Sequence, residues 1–323
     1  MILALGILSS CFVTDDPPEP NERVKIRIGY MAGPTGMGMA KLIHDNGGVE
    51  GNDNYVFTKY ADTNAAKNDL LAGKIDIICL PTNEAAAYSS KIDNTAQVLA
   101  INCLNSLYFI TDAASDVDEL SDLEGQTVYT CKNGTPRTIL EHIISELGLN
   151  ITVSYEIDGK EILTPADLSA QVIAGNLPNA VMPEPLVTSS LLKINSSFAE
   201  TGIKWAVKVD LADSWSDIYS TPLTMGCILA DGNFAEKNVY SIGLFLEEYK
   251  ASVEYISNSD NLASAADYVV ETGVMGAAGA AKTALTNLGG AIAYIDGAEM
   301  KSTLIAFYQA IGISLPAENF YYE

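Results

Sequence analysis

The chain has 323 residues, of which 48% are hydrophobic and 18% charged. That length accommodates two ordinary domains, and the composition is globular rather than disordered. Its 41 acidic and 18 basic residues leave a formal charge of −23, which excludes the positive footprint that nucleic-acid binding needs.

Only two histidines occur, His44 and His142, and neither has metal-ligand spacing. The five cysteines (Cys11, Cys79, Cys103, Cys131 and Cys227) contain no CxxC pair, so no zinc site and no other metal site is expected. Residues 1–10, MILALGILSS, are apolar but too short to span a bilayer. They read as the end of a signal peptide without its basic n-region. Leu8 to Cys11 has the pattern of a bacterial lipobox, with Cys11 as the lipidated mature N-terminus. Residues 11–23, carrying TDDPPEPNE, then form a lipid anchor and tether. Pro17 and Pro18 argue against a first strand there. The other four cysteines sit in apolar, strand-like contexts and read as reduced core residues; pairing in an oxidising compartment stays open.

Ile26, Ile28 and Tyr30 alternate as in a buried strand, Gly33, Pro34 and Gly36 break the pattern, and apolar residues resume at helical spacing from Met37 to Ile43. Such a strand–turn–helix unit presents backbone N–H groups at a helix start. Tyr55–Tyr60 is a strand. Thr63 to Ala72 is a helix, with Thr63 or Asn64 as cap and Gly73 at its end. Lys74 to Leu80 is an apolar strand, ended by Pro81-Thr82-Asn83 before a helix from Glu84 to Tyr88. This order predicts a parallel sheet with crossover helices, whose strand C-termini are where open α/β sheets bind ligands.

Gln97 to Thr111 predicts one long strand crossing from one lobe to another, interrupted by Asn102, Asn105 and Ser106. Asp112 to Asp122 is an acidic loop. A strand at Thr127 to Thr130 leads to a second glycine turn, with Thr135 as N-cap, Pro136 at the first helical position and a helix to Leu147 ended by Gly148. Strand Val153 to Ile157, helix Pro165 to Ala174, strand Asn179 to Met182 and helix Leu186 to Leu192 follow. Trp205 to Leu211 is a strand and Ser214 to Thr221 an aromatic-bearing loop. Leu223 to Ala230 is the expected return crossing. Beyond it helices are expected at Val239 to Ile256, Leu262 to Glu271 and Glu299 to Ile311, helix and turn at Gly276 to Leu288, and an aromatic tail that packs back on the body.

These motifs in order resemble the type II periplasmic-binding-protein superfamily, in particular the solute-binding lipoproteins of the nitrate/sulfonate/taurine and thiamine-pyrimidine-precursor group. The residues that carry the resemblance are Ile28-Gly29-Tyr30-Met31 with Gly33 to Gly36, Leu71 to Ile77, Leu80 to Asn83, Asp122 to Gly125 with Gly134 to Pro136, Pro183-Glu184-Pro185, and Phe245 to Tyr249. The resemblance covers roughly Arg23 to the C-terminus. The resemblance implies two mixed-sheet α/β lobes joined by two crossing strands, with residues 24–109 and 223–323 forming one lobe and 110–222 the other. It implies a monomer anchored outside the cytoplasm by lipidated Cys11. Its partners would be a small-molecule ligand and an ABC permease with its ATPase, and it would carry no cofactor.

Candidate ligand contacts come from the turns and the crossings. On the first jaw they are Gly33, Thr35, Gly36 and Met37, with Thr82 and Asn83 at the next strand end. Asn105, Ser106 and Tyr108 lie on the first crossing. Gly134, Thr135 and Arg137 face them, Arg137 as a carboxylate or sulfonate partner. Glu184 is a possible acceptor for a ligand amine, and Trp215, Tyr219 and Thr224 a wall near the return crossing. Each position also has an ordinary reading, as helix start, cap, solvated face or hinge packing. No nucleophile elbow, P-loop, zinc motif or dinucleotide fingerprint occurs, so a binder is expected rather than an enzyme. The fungal thiamine-pyrimidine synthases are similar to this superfamily, but their His- and Cys-rich motif has no counterpart here. A ligand-sensing receptor is the third class. The expected ligand is a small organic anion, sulfonate- or carboxylate-like, with a heteroaromatic pyrimidine-like compound as the alternative.

Overall fold

The structure, a computed structural model, describes residues 22–89 and 95–323. The leader at 1–10, the lipidation site at Cys11 and the tether as far as residue 21 lie outside the described residues. No helix among the described residues is long and apolar enough to cross a membrane.

Strand β1 (Ile26–Met31) leads through Gly33 into the single turn α1 (Pro34–Met37) and then α2 (Ala40–Asp45). β2 (Tyr55–Tyr60), α3 (Thr63–Leu71), β3 (Ile77–Pro81) and α4 (Thr82–Ser89) follow. β2 and β3 flank β1 in parallel, the pairing that crossover helices impose. Boundaries differ from expectation: α4 starts at Thr82 rather than Glu84, and the helix expected from Met37 to Ile43 is the pair α1 and α2. The cap of α3 is Asp62, not Thr63 or Asn64. Its carboxylate accepts from the Asn64 and Ala65 N–H groups at 2.9 and 3.0 Å, satisfying donors that have no partner inside the helix. β3 starts at Ile77 rather than Lys74, because buried Asp76 turns to Arg27. It accepts from the Arg27 backbone N–H at 2.8 Å and from Nε at 2.9 Å.

The long apolar run does not cross as one strand. It divides into β4 (Ala96–Leu104) and β5 (Leu107–Asp112), which belong to different sheets. The break is Asn105, at φ +37°, a left-handed conformation that Asn tolerates better than most residues. The Asn105 N–H donates to Leu223 O at 3.0 Å, which ties the outgoing passage to the returning one.

β6 (Thr127–Tyr129), α5 (Thr135–Glu146) and β7 (Thr152–Ser154) form a β–α–β unit with parallel strands. Gly134, at φ +98°, caps α5, so Thr135 is the first helical residue and Pro136 the second. The expected cap is thus shifted by one position, because only glycine occupies that φ without strain. The hairpin β8 (Glu156–Ile157) and β9 (Lys160–Glu161) precedes α6 (Pro165–Ile173), β10 (Asn179–Pro183), α7 (Leu186–Ser196), α8 (Phe198–Thr201) and β11 (Trp205–Asp210). The stretch expected as an aromatic loop begins inside a helix, α9 (Leu211–Ser216), capped by Asp210.

β12 (Thr224–Asp231) returns to the first sheet. α10 (Gly232–Lys237), α11 (Val239–Ser257), α12 (Leu262–Glu271) and α13 (Ala278–Leu288) follow it. A strand that was not foreseen, β13 (Ile292–Ile295), precedes α14 (Gly297–Ala310). The tail does pack back: Phe320 is buried, and the Tyr322 N–H donates to Val98 O at 3.0 Å.

The result is mixed α/β. A six-stranded sheet has the order β13-β4-β12-β3-β1-β2, and a three-stranded sheet the order β10-β5-β11. One face of the large sheet packs on α2, α11, α12 and α13 through Ile28, Tyr30, Ile43, Phe245 and Val269. The other face packs on α4 and α14, and this core continues through Trp215 and Phe307 to Phe109, Ile139 and Leu140 beside the small sheet. The small sheet has its own core with α6 and α7.

Candidate ligand-binding site

Strand direction brings the distant turns together. β1 and β3 are parallel, and β12 is antiparallel to both β3 and β4. Strands β1, β3 and β4 therefore end at one edge of the large sheet, and β12 starts there. The turn at Gly33, the helix start at Thr82 and Asn83, the passage at Asn105 and Ser106, and Thr224 all lie along that edge. In open α/β sheets this is the edge where ligands bind.

The turn itself is tightly built. A Cβ on Gly36 would stand 2.3 Å from Met31 O, so no larger residue fits. A Cβ on Gly226 of β12 would stand 2.4 Å from the Thr35 methyl, so Gly226 lets α1 rest directly on the sheet and holds Thr35 at the edge. Two expectations fail here. The Gly36 and Met37 N–H groups both donate to Gly33 O at 3.0 Å, so they close the turn and are not free for a ligand. The Met37 side chain is fully buried in the core beside Tyr30 and Tyr249; its helical spacing marks the core-facing side of the unit.

The small sheet presents its own edge. Tyr108 at the start of β5 pairs with Met182 of β10 and Asp210 of β11, so Tyr108, Glu184 and Asp210 stand together next to the passage at Ser106. The Glu184 N–H donates to Ser106 O at 3.0 Å. Burial, then the Asp210 and Glu184 carboxylates, raise the Tyr108 hydroxyl above its ordinary range. Burial likewise raises the Asp210 carboxyl. Glu184 is 2% exposed, and burial raises its carboxyl despite three hydrogen bonds. Those bonds come from the Thr188 N–H at 3.1 Å, the Thr188 hydroxyl at 2.8 Å and the Asn287 amide at 3.3 Å. Glu184 is therefore occupied by the protein rather than presented to a ligand amine.

The two edges touch through side chains. The Thr135 hydroxyl at the start of α5 donates to Asn83 Oδ1 at 2.7 Å, with Gly134 placing the helix start against α4. Arg137, one turn further on, does not face the edge as a free cation. Its Nε donates to Glu141 at 2.8 Å and its guanidinium lies 4.4 Å from the Tyr155 ring centroid, both partners on its own side. Lys59 and Lys67 are also engaged, with Gly273 O at 2.8 Å and Glu84 at 2.7 Å.

The aromatic wall is elsewhere too. Trp215 is fully buried, donates from Nε1 to Thr221 O at 2.8 Å and packs on Tyr219 and Phe307. The Tyr219 hydroxyl meets His142 Nε2 at 2.8 Å. This cluster joins α5, α9 and α14. It is packing, because the α9 face that carries Trp215 is also the face that covers the core.

Polar groups missed in the sequence lie just beneath the edge. Asn102 of β4 is fully buried, and neither of its amide atoms has a partner among the described residues. It faces the Cys79 thiol and the Tyr249 hydroxyl, but neither contact has hydrogen-bond geometry. The Thr82 and Thr224 hydroxyls are unpartnered as well. Each such buried group costs about 1–3 kcal/mol; others lie elsewhere, at Ser89, Gln97 and Tyr321, but the Asn102, Thr82 and Thr224 atoms together make this edge suited to polar contacts. The signal was present in the sequence: Asn102 interrupts an apolar run. Four cysteines are buried free thiols, and the described residues contain no metal-binding cluster. Two surface depressions, one lined by Lys41, Glu248 and Tyr255 and one by Arg27, Asp231 and Lys237, include none of these edge residues.

No protein-family model matches the chain, and no curated protein matches it. Solved structures do. An ABC transporter protein from Parabacteroides distasonis is 17% identical at a TM-score of 0.70, covering 94% of this chain and 99% of its own. The periplasmic aliphatic sulphonate binding protein SsuA from Escherichia coli is 18% identical at a TM-score of 0.67, with 94% and 93% covered. The periplasmic nitrate-binding protein NrtA from Synechocystis is 12% identical at a TM-score of 0.61, with 86% and 75% covered. The chain thus has the mixed α/β fold of the periplasmic binding proteins of ABC transporters.

Proposed function

We propose that this chain is the extracytoplasmic solute-binding component of an ABC importer. It captures a small molecule between its six-stranded and three-stranded sheets and delivers it to a permease driven by an ATPase. The observation that carries this reading is the meeting of the two sheet edges across only two short passages, Asn105–Ser106 and residues 217–223. Such an arrangement permits hinge closure, which a ligand stabilises through contacts made only in the closed form. In this reading residues 24–106 with 223–323 and residues 107–222 are the two lobes; the expected boundary after residue 109 moves to the Asn105–Ser106 passage, because the whole of β5 pairs in the small sheet. Thr35, Thr82, Asn83, Asn105, Ser106, Thr135 and Thr224 line the cleft. The protein is a monomer held at the membrane by a lipid on Cys11, and it binds without turnover.

The ligand we favour is a small organic anion of the sulfonate or carboxylate kind. Hydroxyl and amide donors gathered at the edge support it, as do the sulphonate- and nitrate-binding neighbours. The engaged cations argue against a multiply charged anion. A second reading, a heteroaromatic ring bearing an amine, is favoured by the Tyr108 ring with the Asp210 carboxylate paired beside it on β11. A thermal-shift screen of the protein against sulfonates, carboxylates, purines and pyrimidines tests both. Ligand at a hundred times its dissociation constant stabilises by about 2.7 kcal/mol. A shift lost in Thr35→Val supports the site, whereas chemical turnover of a bound compound overturns the binder reading.

A further inference from the structure

Among the described residues, two groups of side-chain hydrogen bonds bridge the two bodies away from the linking passages; within the passage at residues 217–223 the Tyr219 hydroxyl also donates to Ala310 O at 3.4 Å. In the first, Asn287 of α13 donates to Glu184 Oε1 at 3.3 Å and to Thr188 Oγ1 at 3.0 Å. Thr188 donates in turn to Glu184 at 2.8 Å, so the three side chains form a closed triangle. In the second, the Thr135 hydroxyl donates to Asn83 Oδ1 at 2.7 Å. α13 packs on one face of the large sheet and α4 on the other. The bridges therefore start from helices on opposite faces of the large sheet.

Local structure does not explain Asn287. The buried face of α13 is Ala281, Ala284, Leu285 and Leu288, and Asn287 is exposed on that helix. Its amide reaches away from its own helix to two residues of the other body. Glu184 and Thr188 are 2% and 1% exposed, so water competes weakly for these bonds, and an acceptor carboxylate makes them stronger than neutral ones.

We propose that Asn287–Glu184–Thr188 and Thr135–Asn83 form a latch that keeps the two bodies closed in the absence of solute, and so sets the affinity of the cleft. This rests on the reading of the edge as a closing site. A latch that populates the closed form in advance reduces the part of the binding free energy spent on closure, and raises apparent affinity in proportion to the closed fraction.

The test is the open-to-closed ratio of the ligand-free chain. Spin labels at Asn64→Cys on the large-sheet body and Glu156→Cys on the small-sheet body, in a Cys11→Ser background, read it by electron–electron distance measurement; the four described cysteines are buried. The expected result is a single distance in the parent protein, matching the structure. Asn287→Ala and Thr135→Val each raise the open fraction about tenfold, the equivalent of one bond to a charged or shielded group. Combining Glu184→Gln with Asn287→Asp, which keeps an amide–carboxylate pair, restores the closed distance relative to Asn287→Asp alone. A parent chain that is open without solute overturns the latch, as do variants that melt cooperatively with an unchanged distance. Its failure is separable from failure of the binder reading. Open variants with no solute-dependent thermal shift leave the latch standing, and a solute shift with unchanged distances removes it.

Discussion

Replacing Gly226 by alanine tests the packing that places Thr35. The added methyl would stand 2.4 Å from the Thr35 methyl, 2.9 Å from Asn102 Oδ1 and 3.1 Å from Cys103 Cβ. All three are short side chains on α1 or on the neighbouring strand β4, so none yields by rotating a long flexible end. β12 is itself held on both sides by β3 and β4, and cannot retreat. Overpacking of this kind costs about 1–3 kcal/mol. Denaturant unfolding should show a lower midpoint at unchanged slope. Thr35→Ser removes the methyl in the closest contact, so Gly226→Ala with Thr35→Ser should recover part of the loss, the Asn102 contact remaining. The double-mutant cycle should therefore give a favourable coupling of about 0.5–3 kcal/mol, the range found for residues in contact. A Gly226→Ala protein as stable as the parent, or a coupling of zero, refutes the proposed seating of α1 on the sheet.

Asn102→Leu removes two buried polar atoms without partners, and should raise stability by about 1–3 kcal/mol in denaturant titration; a lower midpoint would mean that the amide is satisfied. The Glu184 carboxyl is raised by burial in the folded protein. The folded state then holds a proton that the unfolded chain has released, over the window from the ordinary carboxylate range up to the raised value. Stability should accordingly fall as pH rises through that window. Glu184→Gln should flatten the slope but not abolish it, because Asp210 is raised by burial in the same direction. An unchanged pH profile counts against the buried state of Glu184.

Much of the fold was legible because it is written in local periodicity. β1 to α4 followed from alternation, glycine punctuation and helical spacing, and the elements lie close to where those signals put them. The errors are local competitions. Asp62 took the cap of α3 because its β-region backbone and carboxylate suit that position better than the residues after it. Asn105 broke an apolar run that looked continuous, because a single left-handed residue redirects a strand without changing its hydrophobicity. β13 is short, and it pairs only with β4; nothing in its own sequence distinguishes it from a buried stretch of helix and turn.

The site divides along the same line. Positions at strand ends, such as Thr35, Thr82, Asn83 and Thr224, were readable because topology fixes which ends share an edge. The roles of side chains were not. Arg137, Trp215, Met37 and Glu184 carry suitable chemistry, but each was claimed by neighbours far away in sequence or on its own helix: Glu141 and Tyr155, Phe307, the core around Tyr249, and Thr188 with Asn287. Asn287, on a helix with no motif, joined the cleft only through the approach of α13 to α7. The sequence by itself determined the order of elements, the direction of the strands and hence which turns share one sheet edge, since these follow from backbone periodicity and crossover rules. The tertiary structure alone decided which polar groups at that edge are engaged and which have no partner, because hydrogen bonding between distant side chains depends on ångström-scale proximity that no local pattern encodes.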